Sequence, residues 1–223
     1  MIKRIKKHWR RFIIILSCLI ILGLLWIWLT RRTIYSPHEL TYGLTFSPLV
    51  LKDMNLDWQE AYIKMLDELK VKHLRLVAYW PMIEEKEGTY DFSELDWQIK
   101  QASQRNVDII LAVGARLPRW PECHYPQWYT QQDKQTQQKK LLDYIQATIN
   151  RYDANPAIVA WQIENEPFLI GFGKCPRLNV RLLDQEIALA RQNTKKPIVV
   201  TDSGELGIWI PAARRADIFG TSI

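Results

Sequence analysis

A parallel α/β fold, closed into a barrel rather than doubly wound, is what this sequence predicts, on three observations. Past residue 40, short apolar runs alternate six times with amphipathic helical stretches, the pattern of a parallel sheet with helical crossovers. No Gly-x-Gly-x-x-Gly follows the first run, so a dinucleotide-binding sheet lacks its fingerprint. Finally, Ile158-Val159-Ala160-Trp161 leads through Gln162-Ile163 into Glu164-Asn165-Glu166-Pro167. That is a buried-strand run with ionisable residues at its C-terminal tip, where α/β barrels place their chemistry.

The first 32 residues are a separate physical object. Phe12 to Thr30 carries no charge, and 19 residues at about 1.5 Å each span roughly the hydrocarbon thickness of a bilayer. Lys3, Arg4, Lys6, Lys7, Arg10 and Arg11 precede it and only Arg31 and Arg32 follow, so the N-terminus is expected in the cytoplasm. Trp9, Trp26 and Trp28 suit the two interfaces. Trp28-Leu29-Thr30-Arg31-Arg32 is bulky and basic, not the small-x-small site of a cleaved signal peptide, so an uncleaved signal anchor is expected.

The anchor also explains the charge. The chain is net +6, yet eight of its 30 Lys and Arg residues and none of its 24 Asp and Glu fall within the first 32 positions, leaving the remainder at −2. The basic excess therefore reads as membrane topology, and no nucleic-acid partner is indicated. Residues 33–40 are expected to be a short linker, and residues 41–223 one domain.

Tyr42 to Phe46 is the expected first strand. Asp57 with Glu60 signals a helix start, followed by the apolar stripe Ala61, Ile63, Leu66 and Leu69. His73 to Trp80 is the second strand, and Ser93 is the expected cap of a helix through Leu95, Ile99 and Ala102. Val107 to Val113 is the third strand. The polar stretch 131–140 reads as a loop running into a solvated helix face, and that helix carries Leu141, Leu142, Ile145 and Ile149. The fourth strand ends at Glu166. A helix over 178–191, a fifth strand over 197–201 and the start of a sixth at 216–219 complete the alternation.

Two regions carry the chemistry. Asn165-Glu166-Pro167 closes the fourth strand, and around the second stand Leu74-Arg75-Leu76, Tyr79-Trp80-Pro81-Met82-Ile83-Glu84 and Glu87-Gly88-Thr89-Tyr90-Asp91-Phe92. On these motifs the chain resembles the clan A glycoside hydrolases, the (β/α)8 TIM barrels of families 5 and 42. The resemblance implies that Glu166 is the general acid/base, that Asn165 reaches the sugar 2-hydroxyl, and that Arg75 enters the site. It also implies a retaining mechanism on β-linked glycosides with no cofactor, and a nucleophilic Glu on strand seven. Since the alternation stops at six strands, the expectation is an N-terminal three-quarters of a barrel, truncated after strand six, with the nucleophile beyond Ile223. A non-catalytic carbohydrate-binding or scaffold barrel at the membrane is the alternative.

Strand alternation by itself points Glu164 and Glu166 to one side and Asn165 to the other, unless the strand end is irregular. Trp80, Trp120, Trp128, Tyr129 and Trp209 follow strands, where flat rings can stack on an oligo- or polysaccharide; Ser203 and Glu205 are expected to line the cleft. His8, His38, His73 and His124 show no metal spacing. Cys18 lies in the span. Cys123 and Cys175 fall in loops after neighbouring strands, about 4.8 Å apart, and are expected to pair outside the cell.

Overall fold

The computed structural model describes residues 2–34 and 41–222, with side chains for Trp9, 12–29 and 41–222. The chain divides into two compact units, Met1–Thr41 and Tyr42–Ile223. The first is a single helix, α1 (Ile2–Ile34). Its segment Phe12–Leu29, of mean hydropathy 2.9, is long and apolar enough to cross a membrane. Positions 33 and 34 of the expected linker are helical; 35–40, with His38, lie outside the described residues, as do the side chains of His8 and of the flanking basic residues.

The second unit is a parallel sheet of six strands in sequential order: β1 (Gly43–Thr45), β2 (His73–Val77), β3 (Asp108–Val113), β4 (Ile158–Ile163), β5 (Ile198–Ser203) and β6 (Ile218–Ser222). Sequential order with a helix after nearly every strand is the topology of a barrel wall, and the six strands form a half-barrel. The crossovers are carried by α2 (Pro48–Asp53) and α3 (Trp58–Glu68), α4 (Trp80–Ile83) and α5 (Ser93–Ser103), α6 (Lys134–Tyr152), α7 (Val180–Asn193) and α8 (Ile210–Ala213).

The period-2 alternation of each strand divides the core. Leu74 and Leu76, Ile109 and Leu111, Trp161 and Ile163, and Ile198 and Val200 are buried with the apolar faces of α3, α5, α6 and α7. The intervening residues face the other way. Val77 and Ala112 join Tyr79 and Leu117 in a small second cluster, and Arg75, Gln162 and Thr201 form the polar lining considered below. At roughly 25 cal/mol per Å² of apolar surface, the helix-facing layer dominates the driving force for folding.

Helix starts follow capping chemistry. Asp57 Oδ1 accepts from the N–H groups of Gln59 and Glu60, Asp133 Oδ1 from Gln135 and Thr136, and Asn179 Oδ1 from Leu182. Ser93, the expected cap, is instead the first residue of α5, and Asp91 Oδ1 accepts its N–H at 2.9 Å. The stretch 131–140 turns helical at Lys134, because Asp133 supplies the cap. Three short helices were not expected: α2, α4 and α8 each have a proline at a first-turn position, where its fixed φ suits a helix start.

Candidate active site

The tips of β2 to β6 converge on the residues after Ile163. Backbone geometry decides which side chains meet there. Glu164 has φ of 57° and Glu166 φ of 47°, both in the left-handed region that non-glycine residues seldom occupy. Each such residue costs on the order of 1–3 kcal/mol and persists only where its surroundings hold it, which is typical of functional sites. Strict alternation therefore fails at this point. Glu164 turns toward the helices, while Asn165 and Glu166 both reach the polar lining, so the strand end is the irregular one for which the alternation makes its exception.

A chain of hydrogen bonds runs across that lining. Arg75 Nε donates to Thr45 Oγ1 at 2.9 Å and its Nη1 to Gln162 Oε1 at 3.3 Å. Gln162 Nε2 donates to Asn165 Oδ1 at 3.2 Å and to the Glu164 carbonyl at 3.0 Å. Asn165 Nδ2 donates in turn to Glu122 Oε2 at 3.3 Å, and the Thr201 hydroxyl donates to Asn165 Oδ1 at 3.4 Å. The Glu166 N–H is held by Thr201 Oγ1 at 3.0 Å, and its carboxylate Oε1 accepts the Ser222 hydroxyl. Five strands thus fix one amide and one carboxylate.

The charges in this lining are partly desolvated. Burial lowers the Arg75 guanidinium from its ordinary value, and the neighbouring charge of Arg119 adds to this. Burial raises the Glu122 carboxyl, against the hydrogen bond from Asn165 and the charge of Arg116; the charge of Glu166 raises it further. Tyr79 donates from its hydroxyl to the Pro118 carbonyl and accepts from Ser47 Oγ, both at 2.8 Å, and burial pushes its phenol up to about 12.

Glu122 is a site residue that the sequence reading missed. It sits in the loop after β3, where Arg119 (φ 91°) and Glu122 (φ 71°) are both left-handed, and Leu117 N donates to the Glu122 carbonyl at 2.7 Å. An acid between Pro121 and Cys123 in a post-strand loop was the available signal. Cys123 and Cys175 form the expected disulfide, with Cα atoms 5.2 Å apart, tying this loop to the one after β4.

Other expected residues separate. Trp120 is 64% exposed with Lys174 Nζ 5.9 Å from its ring, open to a ligand face. Trp80 is corrected: it is wholly buried, stacks on Tyr144 at 5.1 Å and donates from Nε1 to Glu84 Oε2 at 2.7 Å. Glu84 also accepts from Gly88 N at 2.8 Å, so this pair braces the loop after β2. Trp128 and Tyr129 are half-buried against Trp80, and Trp209 donates to the Ser203 carbonyl at 2.8 Å. Ser203 is buried and accepts from Leu206 N, whereas Glu205 is exposed on the turn after β5, with no hydrogen bond to the lining among the described residues. Glu205 therefore does not line the cleft in this arrangement.

The sequence profile of the family described as beta-galactosidase, glycoside hydrolase family 42, matches residues 53–175, more than half of the chain. The chain belongs to this family. Among curated proteins, beta-galactosidase BgaA of Clostridium cellulovorans is 29% identical over 121 residues, covering 46% of this chain and 18% of BgaA. Mannan endo-1,4-beta-mannosidase A of Podospora anserina is 30% identical over 92 residues, covering 36% of this chain and 23% of that enzyme. In three dimensions, the beta-galactosidase of Rahnella sp. R3 superposes with a TM-score of 0.64 at 14% identity, over 82% of this chain and 39% of that one. The family 5 subfamily 18 protein of Streptomyces cattleya, in complex with GlcNAc, gives 0.58 at 13% identity, over 75% and 45%. These two likenesses show the barrel fold. The family 42 chain described here spans less than a quarter of the length of either curated relative.

Proposed function

We propose that this chain carries the acid/base half of a glycoside hydrolase site acting on β-linked glycosides, β-galactosides first among them, with Glu166 as general acid and base. The observation that carries this reading is the placement of Glu166. A carboxylate at the C-terminal tip of β4, in a left-handed strand end, is 9% exposed and is fixed by hydroxyls from β5 and β6. A carboxyl held there protonates the departing glycosidic oxygen and then takes a proton from the incoming water. Asn165 Nδ2 is the donor for a sugar hydroxyl, Arg75 supplies fixed positive charge, and Trp120 offers an open ring for stacking. The course we propose is retaining, which requires an attacking carboxylate about 5–5.5 Å from Glu166. Family resemblance assigns that group to a seventh strand, and among the described residues the strands number six.

The same proposal places the domain outside the cytoplasm, tethered by α1. The apolar segment Phe12–Leu29 supports the tether, the basic excess before it supports the orientation, and the Cys123–Cys175 disulfide fits an oxidising compartment.

The test is Glu166→Gln in a complete enzyme, one whose site includes the attacking carboxylate. With substrates whose leaving groups need protonation, hydrolysis should fall by about 100-fold or more, whereas an activated aryl glycoside should lose far less. Equal loss on both substrates speaks against the acid role, and absence of β-glycoside hydrolysis by the unmutated complete enzyme speaks against the activity.

A further inference from the structure

Glu164 leaves β4 on the helix side, where it is 6% exposed. Its carboxylate accepts the N–H groups of Ala115, at 2.8 Å, and of Arg116. Gly114 makes room for it: with φ of 139°, an added Cβ would stand 2.5 Å from Glu164 Oε1. Opposite lies Glu186 of α7, 3% exposed, which lines the same cavity as Glu164. Among the described residues no basic side chain pairs with Glu186, and its Oε2, sealed from solvent, has no donor. An ionised Glu186 would thus be an unsatisfied buried anion beside another anion. Protonation turns the same group into a donor toward the acceptor that the geometry offers it, the Glu164 carboxylate.

We propose that Glu186 is a positioning residue for the β4 tip: as a neutral acid it donates to Glu164, and this bond locks the β3 and β4 tips to α7 in the arrangement that presents Asn165 and Glu166. The catalytic part of this claim rests on the acid/base reading of Glu166. The connection to the site is direct. The Arg116 carbonyl, next to the amides that Glu164 holds, accepts the Asn165 N–H at 2.6 Å, and the same loop carries Glu122 to Asn165 Nδ2.

The groups facing the pair come from every neighbouring element. Arg116 stands on the β3 loop, Tyr125 and Tyr129 on the segment before α6, and Tyr144 on α6. Lys134 and Arg177 line the rest of an adjoining cavity of about 360 Å³. Burial raises both carboxyls and the charge of Glu164 raises Glu186 further, while the two amides and Arg116 act to keep Glu164 ionised. The proton therefore resides on Glu186. A carboxyl raised in the folded state contributes fully below its ordinary value, and its contribution is lost as pH climbs through the raised one. The lock is expected to loosen on the alkaline side.

The test is amide hydrogen exchange on the full chain in detergent micelles, read at residues 115, 116, 165 and 166 at mildly acid and mildly alkaline pH and corrected for intrinsic rates. In Glu186→Leu, protection at these four amides should fall about tenfold or more, the loss expected for a broken charge-assisted hydrogen bond, while α3 and α5 keep theirs. Glu186→Gln, which retains a donor, should keep wild-type protection and remove its decline with pH. Protection lost uniformly in the Leu variant, retained at all four amides, or lost equally in the Gln variant overturns the proposal; should the Leu variant fail to fold, the pH response of the Gln variant decides it. In hydrolysis assays of a complete enzyme that includes the attacking carboxylate, the Leu variant should lower kcat at nearly constant KM with rescue by Gln. An inactive unmutated complete enzyme would count against the reading of Glu166, whereas the exchange result on the chain judges the lock independently.

Discussion

Two tryptophans that follow strands end in opposite environments, and the difference sets their energetics. Trp80 is enclosed by Tyr125, Trp128, Tyr129 and Tyr144, and its indole N–H is satisfied by Glu84. Trp120 is largely exposed. Replacing Trp80 by Ala should cost about 3–5 kcal/mol from the cavity alone, with Glu84 losing a partner as well. Replacing Trp120 by Ala should alter stability by roughly 0.5 kcal/mol or less and act on saccharide binding instead. Urea denaturation of both variants checks the contrast, and similar midpoints would contradict it. Sequence alone leaves such residues alike, because a post-strand aromatic can fold inward or outward depending on the loop. The same limit hid Glu122 and left the side of Glu164 conditional on the strand end. Alternation is legible in residues 158–163, but nothing in the side chains announces that Glu164, Glu166, Arg119 and Glu122 adopt positive φ. What was legible was the tip itself, two carboxylates and an amide ending an apolar run.

At the scale of elements, strands and long helices were legible because pattern and packing agree. All six expected strand positions are occupied, with the fourth ending at Ile163 rather than Glu166, where the left-handed backbone breaks pairing. The short proline-led helices escaped notice, since four to six residues show too little periodicity. The disulfide belongs to this scale too, because it joins the loops after β3 and β4 that bear Glu122 and the Asn165–Glu166 pair. Closing a loop of 52 residues' separation should stabilise the fold by about 4 kcal/mol on the chain-entropy account. For a domain of this size that corresponds to a melting point lower by roughly 8–16 °C in Cys123→Ser/Cys175→Ser. Thermal unfolding of the double variant in parallel with the reduced wild type measures it. Unchanged melting in both would show that the loops are held without the bridge.

For the whole molecule, two physical regimes share one chain. Residues 12–29 present exposed Ile, Leu, Phe and Trp on a helix with no charge in the segment, a surface that water does not tolerate at this density. The unit from Tyr42 onward has the mixed surface and apolar interior of a domain that folds in water, together with exposed apolar residues such as Leu44 beside its β1 edge and Ile208, Trp209 and Ile218 near β6. Unpaired edge strands flanked by such residues invite further pairing. The charge follows the same division, since the formal +6 arises within the first 32 residues and the remainder is slightly acidic. Removing residues 1–32 should therefore do two separable things. It should shift the protein from the membrane fraction to the soluble fraction, and it should move the isoelectric point from about 9.2 to the acid side of neutrality. Fractionation with isoelectric focusing reads both. Wild-type protein recovered in the soluble fraction, shortened by about 30 residues, would show that the segment acts as a cleaved signal and not as an anchor.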